Sequence, residues 1–233
     1  MATLLRAPPV VDINVIWLTI KLAGVTTGWL LLLGTPLAWW LARGQSRVRT
    51  AIEALVALPL ILPPTVLGFY LLIAFAPQSA LGELWQQLTG SRLAFTFNAL
   101  VIGSVIYSLP FVVQPLRAAF WQLPESLLEA AAVLGASPLD CWVSVVVPNC
   151  RHSFLTAASL GFAHTVGEFG VVLMIGGNIP GETQVLSIAL YDRVEALHFN
   201  EAHSMAGGLM LFSFIMLYLL YRHGHQQSWR IQS

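Results

Sequence analysis

Five long runs of apolar positions, set apart by shorter polar stretches, organise the chain. They cover residues 15–41, 51–75, 97–120, 154–175 and 202–221, each close to or above the ~20 residues that cross about 30 Å of hydrocarbon. In hydrocarbon the backbone must satisfy its own N–H and C=O groups, so each run is predicted to be a helix. The expected fold is therefore an all-α bundle of five transmembrane helices forming a single domain over residues 1–233. One run breaks its own pattern: Leu58-Pro59-Leu60-Ile61-Leu62-Pro63-Pro64 places three prolines in the first half of the second span. Each removes a donor and crowds the preceding turn. This segment is thus predicted to be broken and to line a pathway inside protein rather than to face lipid. Between the last two runs, residues 184–200 alternate apolar and charged positions and predict an amphipathic helix at a membrane surface.

Composition agrees with this reading. Hydrophobic residues make up 57% of the 233 and charged residues 9%, and mean hydropathy is +0.74. A soluble domain carries about 25% charged residues, so too few remain here to wet a globular surface. Net charge is zero, which leaves no basic footprint for nucleic acid. The arginines set the orientation. Arg43, Arg47, Arg49, Arg117, Arg151, Arg222 and Arg230 fall on one side of the predicted bundle, and Arg6, Arg92 and Arg193 on the other. The positive-inside bias puts the N-terminus outside and the C-terminus in the cytoplasm. Trp17 and Trp39-Trp40 fit aromatic belts at the two ends of the first span, and Lys21 is expected to snorkel outward. Cys141 and Cys150 form no metal or disulfide pattern, and no His/Cys cluster suggests a metal. No GxxxxGK[ST] occurs, so the chain has no P-loop for ATP.

The loop over residues 123–148, placed in the cytoplasm by the arginines, holds the densest local signals. Leu123-Pro124-Glu125 reads as a helix start with proline at the first helical position. The helix runs through Glu129-Ala130-Ala131-Ala132 and stops at Gly135, a suitable left-handed cap. Ala136 leads into Ser137-Pro138-Leu139-Asp140, a second start with a serine cap and an acid three residues on. Val147-Pro148 then returns toward the membrane.

Glu129, Ala130, Ala131, Gly135, Ala136, Ser137 and Pro148 resemble, in order and spacing, the EAA motif of ABC importer permeases. In place of the basic residue that many members carry after the alanines, this chain has Val133-Leu134. The proline run of the second span, Gly167-Glu168-Phe169-Gly170 and Asn178-Ile179-Pro180-Gly181-Glu182-Thr183 are similar to molybdate permeases first and sulfate permeases second. The resemblance spans nearly the whole chain and implies a type I ABC importer permease of the bacterial inner membrane. It further implies a homodimer, two cytoplasmic ATPase subunits docked on the EAA loop, and an extracytoplasmic molybdate-binding protein. ATP and Mg would sit on the ATPase, with no cofactor on this chain.

Candidate path or gate residues are Pro63, Pro64, Thr65, Ser104, Tyr107, Ser108 and Glu168. Hydroxyls can pass an anion without trapping it, and they can equally serve helix packing. Glu168 is an acid inside a span, and His164 lies one turn before it on the same face. This pair raises a rival reading, a proton-coupled secondary carrier. Five spans leave no room for the paired repeats common in such carriers, and the cytoplasmic loop would then have no purpose. A carboxylate also repels a dianion. Glu168 is therefore expected to be structural, bonded to backbone between Gly167 and Gly170, and His164 to be packed and hydrogen-bonded. A purely structural scaffold explains neither the broken span nor the loop.

Overall fold

The computed structural model describes residues 12–228; Arg6 and Arg230, used above for orientation, lie outside them. All regular elements among the described residues are helical. Asp12 caps α1 (Ile13–Ala42), its side chain accepting from Asn14 N at 2.9 Å. Ser46 caps α2 (Arg47–Ala57) in the same manner through Arg49 N. A 3₁₀ turn, Leu58–Leu60, and the Pro63-Pro64 pair then separate α2 from α3 (Pro64–Phe75). Proline cannot donate within a helix but is tolerated at its first position, so the chain stops before Pro63 and restarts at Pro64. The two helices meet at 110°. The stretch expected over 51–75 is thus a bent pair rather than one straight rod.

A helix not anticipated from the hydropathy pattern, α4 (Ala80–Thr89), follows, opened by Ser79 and closed by left-handed Gly90. It is amphipathic and only ten residues long, too short to register beside the apolar runs. Thr96 caps α5 (Phe97–Gln122). Beyond it lie α6 (Glu125–Val133) and α7 (Pro138–Cys141). A wide π turn, Trp142–Val146, joins α7 to α8 (Val147–Gly167). Pro148 has no N–H to offer the preceding turn, and a wider turn is one way to seat its ring. α8 begins seven residues before the expected 154 and ends at Gly167; the chain bends by 60° into α9 (Gly170–Gly176). α10 (Leu186–Glu195) occupies part of the predicted amphipathic stretch, and α11 (Phe199–Ser228) ends the described chain.

Three helices, α1, α5 and residues 199–220 of α11, are each long and apolar enough to cross a membrane; counting each bent pair as one span brings the number to five. The interior divides into two clusters. Leu18, Leu22, Leu71, Phe75, Leu100, Val171, Ile175 and Ile188 pack toward the end that carries α4 and α10. Leu30, Ala38, Val56, Val112, Leu116, Phe120, Val146 and Ala157 pack toward the end that carries α6 and α7. α11 stands apart, with only 6% of its most apolar window buried; Met210, Leu211 and Phe214 are exposed along it. Lys21 places its Nζ 4.6 Å from the centroid of the Phe97 ring, so the ammonium gains an aromatic face near the end of the span.

Within lipid, helices are not driven together by exclusion from water, and close packing decides their association. One close approach joins α3 to α9. A Cβ on Gly170 would lie 2.7 Å from Pro64 Cβ, and one on Gly68 would lie 2.8 Å from Met174 Cβ and 3.2 Å from Val171 Cα. The two broken segments therefore lock together through positions that admit no side chain. Gly170→Val is expected to lower the stability of the purified protein by about 1–3 kcal/mol, the usual range for overpacking. Gly24→Ala, where nothing lies within 4 Å, is expected to leave it unchanged or slightly raised. Thermal unfolding in detergent compares the two; equal midpoints for Gly170→Val and the unaltered protein would remove this contact from the argument.

Candidate functional site

The breaks at Pro63-Pro64 and Glu168-Phe169 open on one cavity of about 480 Å³. Pro64, Thr65, Tyr107, His164, Glu168 and Gly170 are among its lining residues. Facing stripes stand at and behind this wall. Ser104, Tyr107, Ser108 and Phe111 recur at helical spacing on α5; Gly161, His164, Thr165 and Glu168 do so along α8 and its end. Such spacing puts each set on one helix face.

Where they meet, Ser108 Oγ hydrogen-bonds His164 Nδ1 at 2.8 Å and Thr165 Oγ1 at 3.3 Å. Thr165 Oγ1 also donates to the Gly161 carbonyl at 2.9 Å. Phe111 stacks on the His164 ring with centroids 3.9 Å apart, and Tyr107 lies 4.9 Å away. His164 is thus packed and bonded, as the sequence suggests. Phe111 was not singled out beforehand, although its place seven residues after Ser104 was the available signal.

The candidate residues divide into two groups. Pro64, Thr65, Tyr107 and Glu168 share the cavity wall, and Pro63 is exposed beside it as the cap of α3. Ser104 and Ser108 are fully buried and sit behind the cavity rather than on its surface.

Glu168 departs from expectation. Its side chain is buried, and neither carboxyl oxygen has a hydrogen-bond partner; the Ser104 hydroxyl lies beside it, outside hydrogen-bond geometry. The backbone of this residue makes the bonds instead, its carbonyl accepting from Ser187 Oγ at 2.5 Å and its N–H reaching Thr165 O at 3.4 Å. The break leaves the Glu168 carbonyl without a helical donor, and Ser187 on α10 supplies one.

Beyond α9, the chain turns back through Gly177 and Gly181, both at positive φ. Thr183 Oγ1 donates to Gly176 O at 2.7 Å and accepts from Ile179 N at 3.1 Å. Asn178 Nδ2 donates to Asp192 Oδ2 at 2.5 Å. The NIPGET stretch therefore ties the end of α9 to α10.

At the opposite end, α6 and α7 form an exposed elbow. Neither contains a buried residue, and Val133, Leu134 and Leu139 are exposed. Gly135, at φ +83° with open space around it, takes the left-handed conformation that only glycine adopts cheaply. Ser137 and Asp140 complete a capping box, Ser137 accepting from Asp140 N and the Asp140 carboxylate accepting from Ser137 N, each at 3.2 Å. The Ser137 hydroxyl, which donates to Asp140 Oδ2 at 2.6 Å, and then the Ser137 N–H hold the Asp140 carboxyl pKa below its ordinary value. Pro124 stands one position earlier than expected, as the cap of α6. Glu129, Ala130 and Ala131 lie on α6, Ala136 falls between the helices, and Pro148 sits at the start of α8 beyond the wide turn.

A buried carboxyl without partners costs more than a neutral amide in the same place. Glu168→Gln is expected to leave folding intact and to raise stability or change it by less than about 1 kcal/mol. A large loss of thermal stability in the purified variant would mean that the acid has a partner within the membrane assembly.

Residues 34–227 match the family model described as the binding-protein-dependent transport system inner membrane component. The chain is 57% identical over 210 residues to the molybdenum transport system permease protein ModB of Azotobacter vinelandii, covering 90% of this chain and 93% of that one. It is 31% identical over 205 residues to ModB of Haemophilus influenzae, 88% of each chain. It is also 31% identical over 207 residues to the sulfate transport system permease protein CysT of Synechocystis, 89% of this chain and 71% of that one. Among solved structures, a chain of the MetNI methionine ABC transporter in an inward-facing conformation superposes with a TM-score of 0.66 at 18% identity, covering 90% and 93% of the two chains. A chain of a bacterial alginate ABC transporter superposes with a TM-score of 0.67 at 16% identity, covering 89% and 76%. At those identities the likeness establishes the fold, and the fold is that of type I ABC importer permeases. The protein is accordingly a multi-pass, all-helical membrane protein, and it belongs to the inner membrane component family of binding-protein-dependent transport systems.

Proposed function

We propose that this chain is the permease subunit of an ATP-driven importer that carries molybdate across the bacterial inner membrane. The observation that carries this reading is the exposed α6–Gly135–α7 elbow, in a chain 57% identical to a molybdenum permease. Sulfate permeases match at 31%, which favours molybdate as cargo. The working unit is a homodimer with two cytoplasmic ATPase subunits and an extracytoplasmic binding protein. ATP and Mg act on the ATPase, and this chain binds no cofactor of its own.

The elbow suits docking. Its apolar tips, Val133, Leu134 and Leu139, are exposed among the described residues, and the small side chains Ala130 and Ala131 admit close approach. Closure of the ATPase pair on ATP would displace the elbow and, with it, α8. The other end of α8 is Glu168, at the wall of the cavity. Thr65 and Tyr107 offer hydroxyls there, and the first turn of α3 presents its positive dipole end.

Two measurements test the proposal. Gly135→Glu forces a side chain into a left-handed position and a charge onto the elbow; molybdate uptake is expected to be lost while the protein still inserts. Normal uptake by that variant, or uptake driven by a proton gradient without ATP, would sink the reading. Orientation is checked with the native thiol of Cys141 on α7, which is unpaired and partly exposed. A membrane-impermeant maleimide is expected to leave it unlabelled in intact spheroplasts and to label it in inverted vesicles.

A further inference from the structure

Around the loop from Ala42 to Ser46 lie two neighbouring cavities of about 490 and 550 Å³, which share Gly44, Gln45, Trp121 and Gln122. Arg49 and Arg117 line the first and Arg43 the second. Each guanidinium is held from behind. Arg43 lies 4.4 Å from the centroid of Trp39, Arg49 lies 5.1 Å from that of Trp40, and Arg117 Nη1 is 2.7 Å from Glu53 Oε1.

Gly44 explains how Arg49 reaches its place. A Cβ there would fall 1.5 Å from Arg49 Nη1, so the guanidinium folds over the loop only because position 44 has no side chain. Donors remain unmatched: Arg43 Nε and Nη2 and Arg117 Nε have no hydrogen-bond partner. Arg49 has no carboxylate within ion-pair distance among the described residues. With Arg47 beside them, four arginines stand around this loop against two carboxylates, Glu53 and Glu125. The cluster therefore favours an anion.

Its surroundings say which kind. Trp39, Trp40, Trp121 and Trp142 gather at this end of the bundle, and tryptophans mark the depth where headgroups meet acyl chains. Trp121, Val48 and Leu55 are exposed around the cavity and along α2, which gives an apolar flank that a soluble ion would not use. Basic pockets between helices at this depth are suited to acidic lipid headgroups. We infer that Arg49 and Arg117, with Gly44 as the seat of Arg49, form a binding site for the phosphate of an anionic phospholipid. Assigning the site to the inner leaflet rests on the orientation proposed above; lipid binding itself does not, and the maleimide experiment tests orientation separately. A phosphodiester held between Arg49 on α2 and Arg117 on α5 would brace the inner ends of both helices beside α6.

The test is native mass spectrometry of the full chain, purified with its co-purifying subunits and exchanged into micelles containing phosphatidylglycerol or phosphatidylcholine. Retention of phosphatidylglycerol over phosphatidylcholine is expected in the unaltered protein and in Arg47→Gln, which removes an equal charge outside the cavity lining. Arg49→Gln is expected to weaken retention about tenfold, the scale of one charge-assisted hydrogen bond. Gly44→Ala is expected to do the same while keeping every charge, because its methyl displaces the guanidinium. Equal retention by all four proteins would show ordinary boundary lipid and overturn the proposal. Displacement by inorganic phosphate or molybdate would overturn it in favour of a soluble-anion site. Binding seen only after the ATPase is stripped away would make the cavity a protein-docking surface instead.

Discussion

The contact of Gly170 with Pro64 is the constraint on which the rest of the site depends. A membrane-embedded backbone can leave the helix only where other protein groups take up its broken bonds. Here two such places, one on each side of α5, are brought face to face. Pro63 and Pro64 end one helical course, Glu168 and Phe169 end another, and glycines at 68 and 170 bring the resumed helices into contact. Ser187 bonds the carbonyl freed at Glu168, and Thr183 bonds that of Gly176. The cavity, with its hydroxyls and its acid, is what remains between the two breaks. Any larger residue at 68 or 170 would pry these segments apart before it touched a cavity residue.

The two ends of the molecule answer to different demands. Around α4 and α10 the chain is tied by many side-chain bonds, among them Thr19 Oγ1 accepting from Leu186 N at 2.8 Å and the Asn178–Asp192–Gln184 group. Around α6 and α7 it makes few ties to the bundle and exposes apolar side chains. An elbow stabilised by its own caps keeps its shape while it is displaced as a body. That is the property wanted of a surface gripped by another protein, and it differs from the fixed turn at the far end.

Much of this was legible from local chemistry alone. The left-handed stop at Gly135 and the box of Ser137 with Asp140 depend only on neighbouring residues, and both stand as the sequence implies. The proline run announced a break for the same reason. What could not be read was tertiary. Nothing local says that Pro64 will meet Gly170, that Ser104 and Ser108 will turn away from the cavity, or that Ser187 will find the carbonyl of Glu168. α4 was hidden because ten amphipathic residues between two apolar runs look like a connection. Glu168 was expected to bond backbone with its carboxyl; the backbone of that residue is bonded, and the side chain is not.

The wide turn at Trp142–Val146 has a mechanical consequence. It lets α7 flow into α8 despite Pro148, so residues 138–167 act as a single rod of about 45 Å at 1.5 Å per residue. One end is pinned at Gly135, where the chain turns through a left-handed residue, and the other at Glu168, where it turns by 60°. A lever with a pivot at each tip does not need a wire of side-chain rearrangements to carry a signal. In the proposed importer, a few degrees of tilt imposed at the elbow would arrive at the cavity as a displacement of ångströms, and the stiffness of this rod would set how much of each stroke is transmitted.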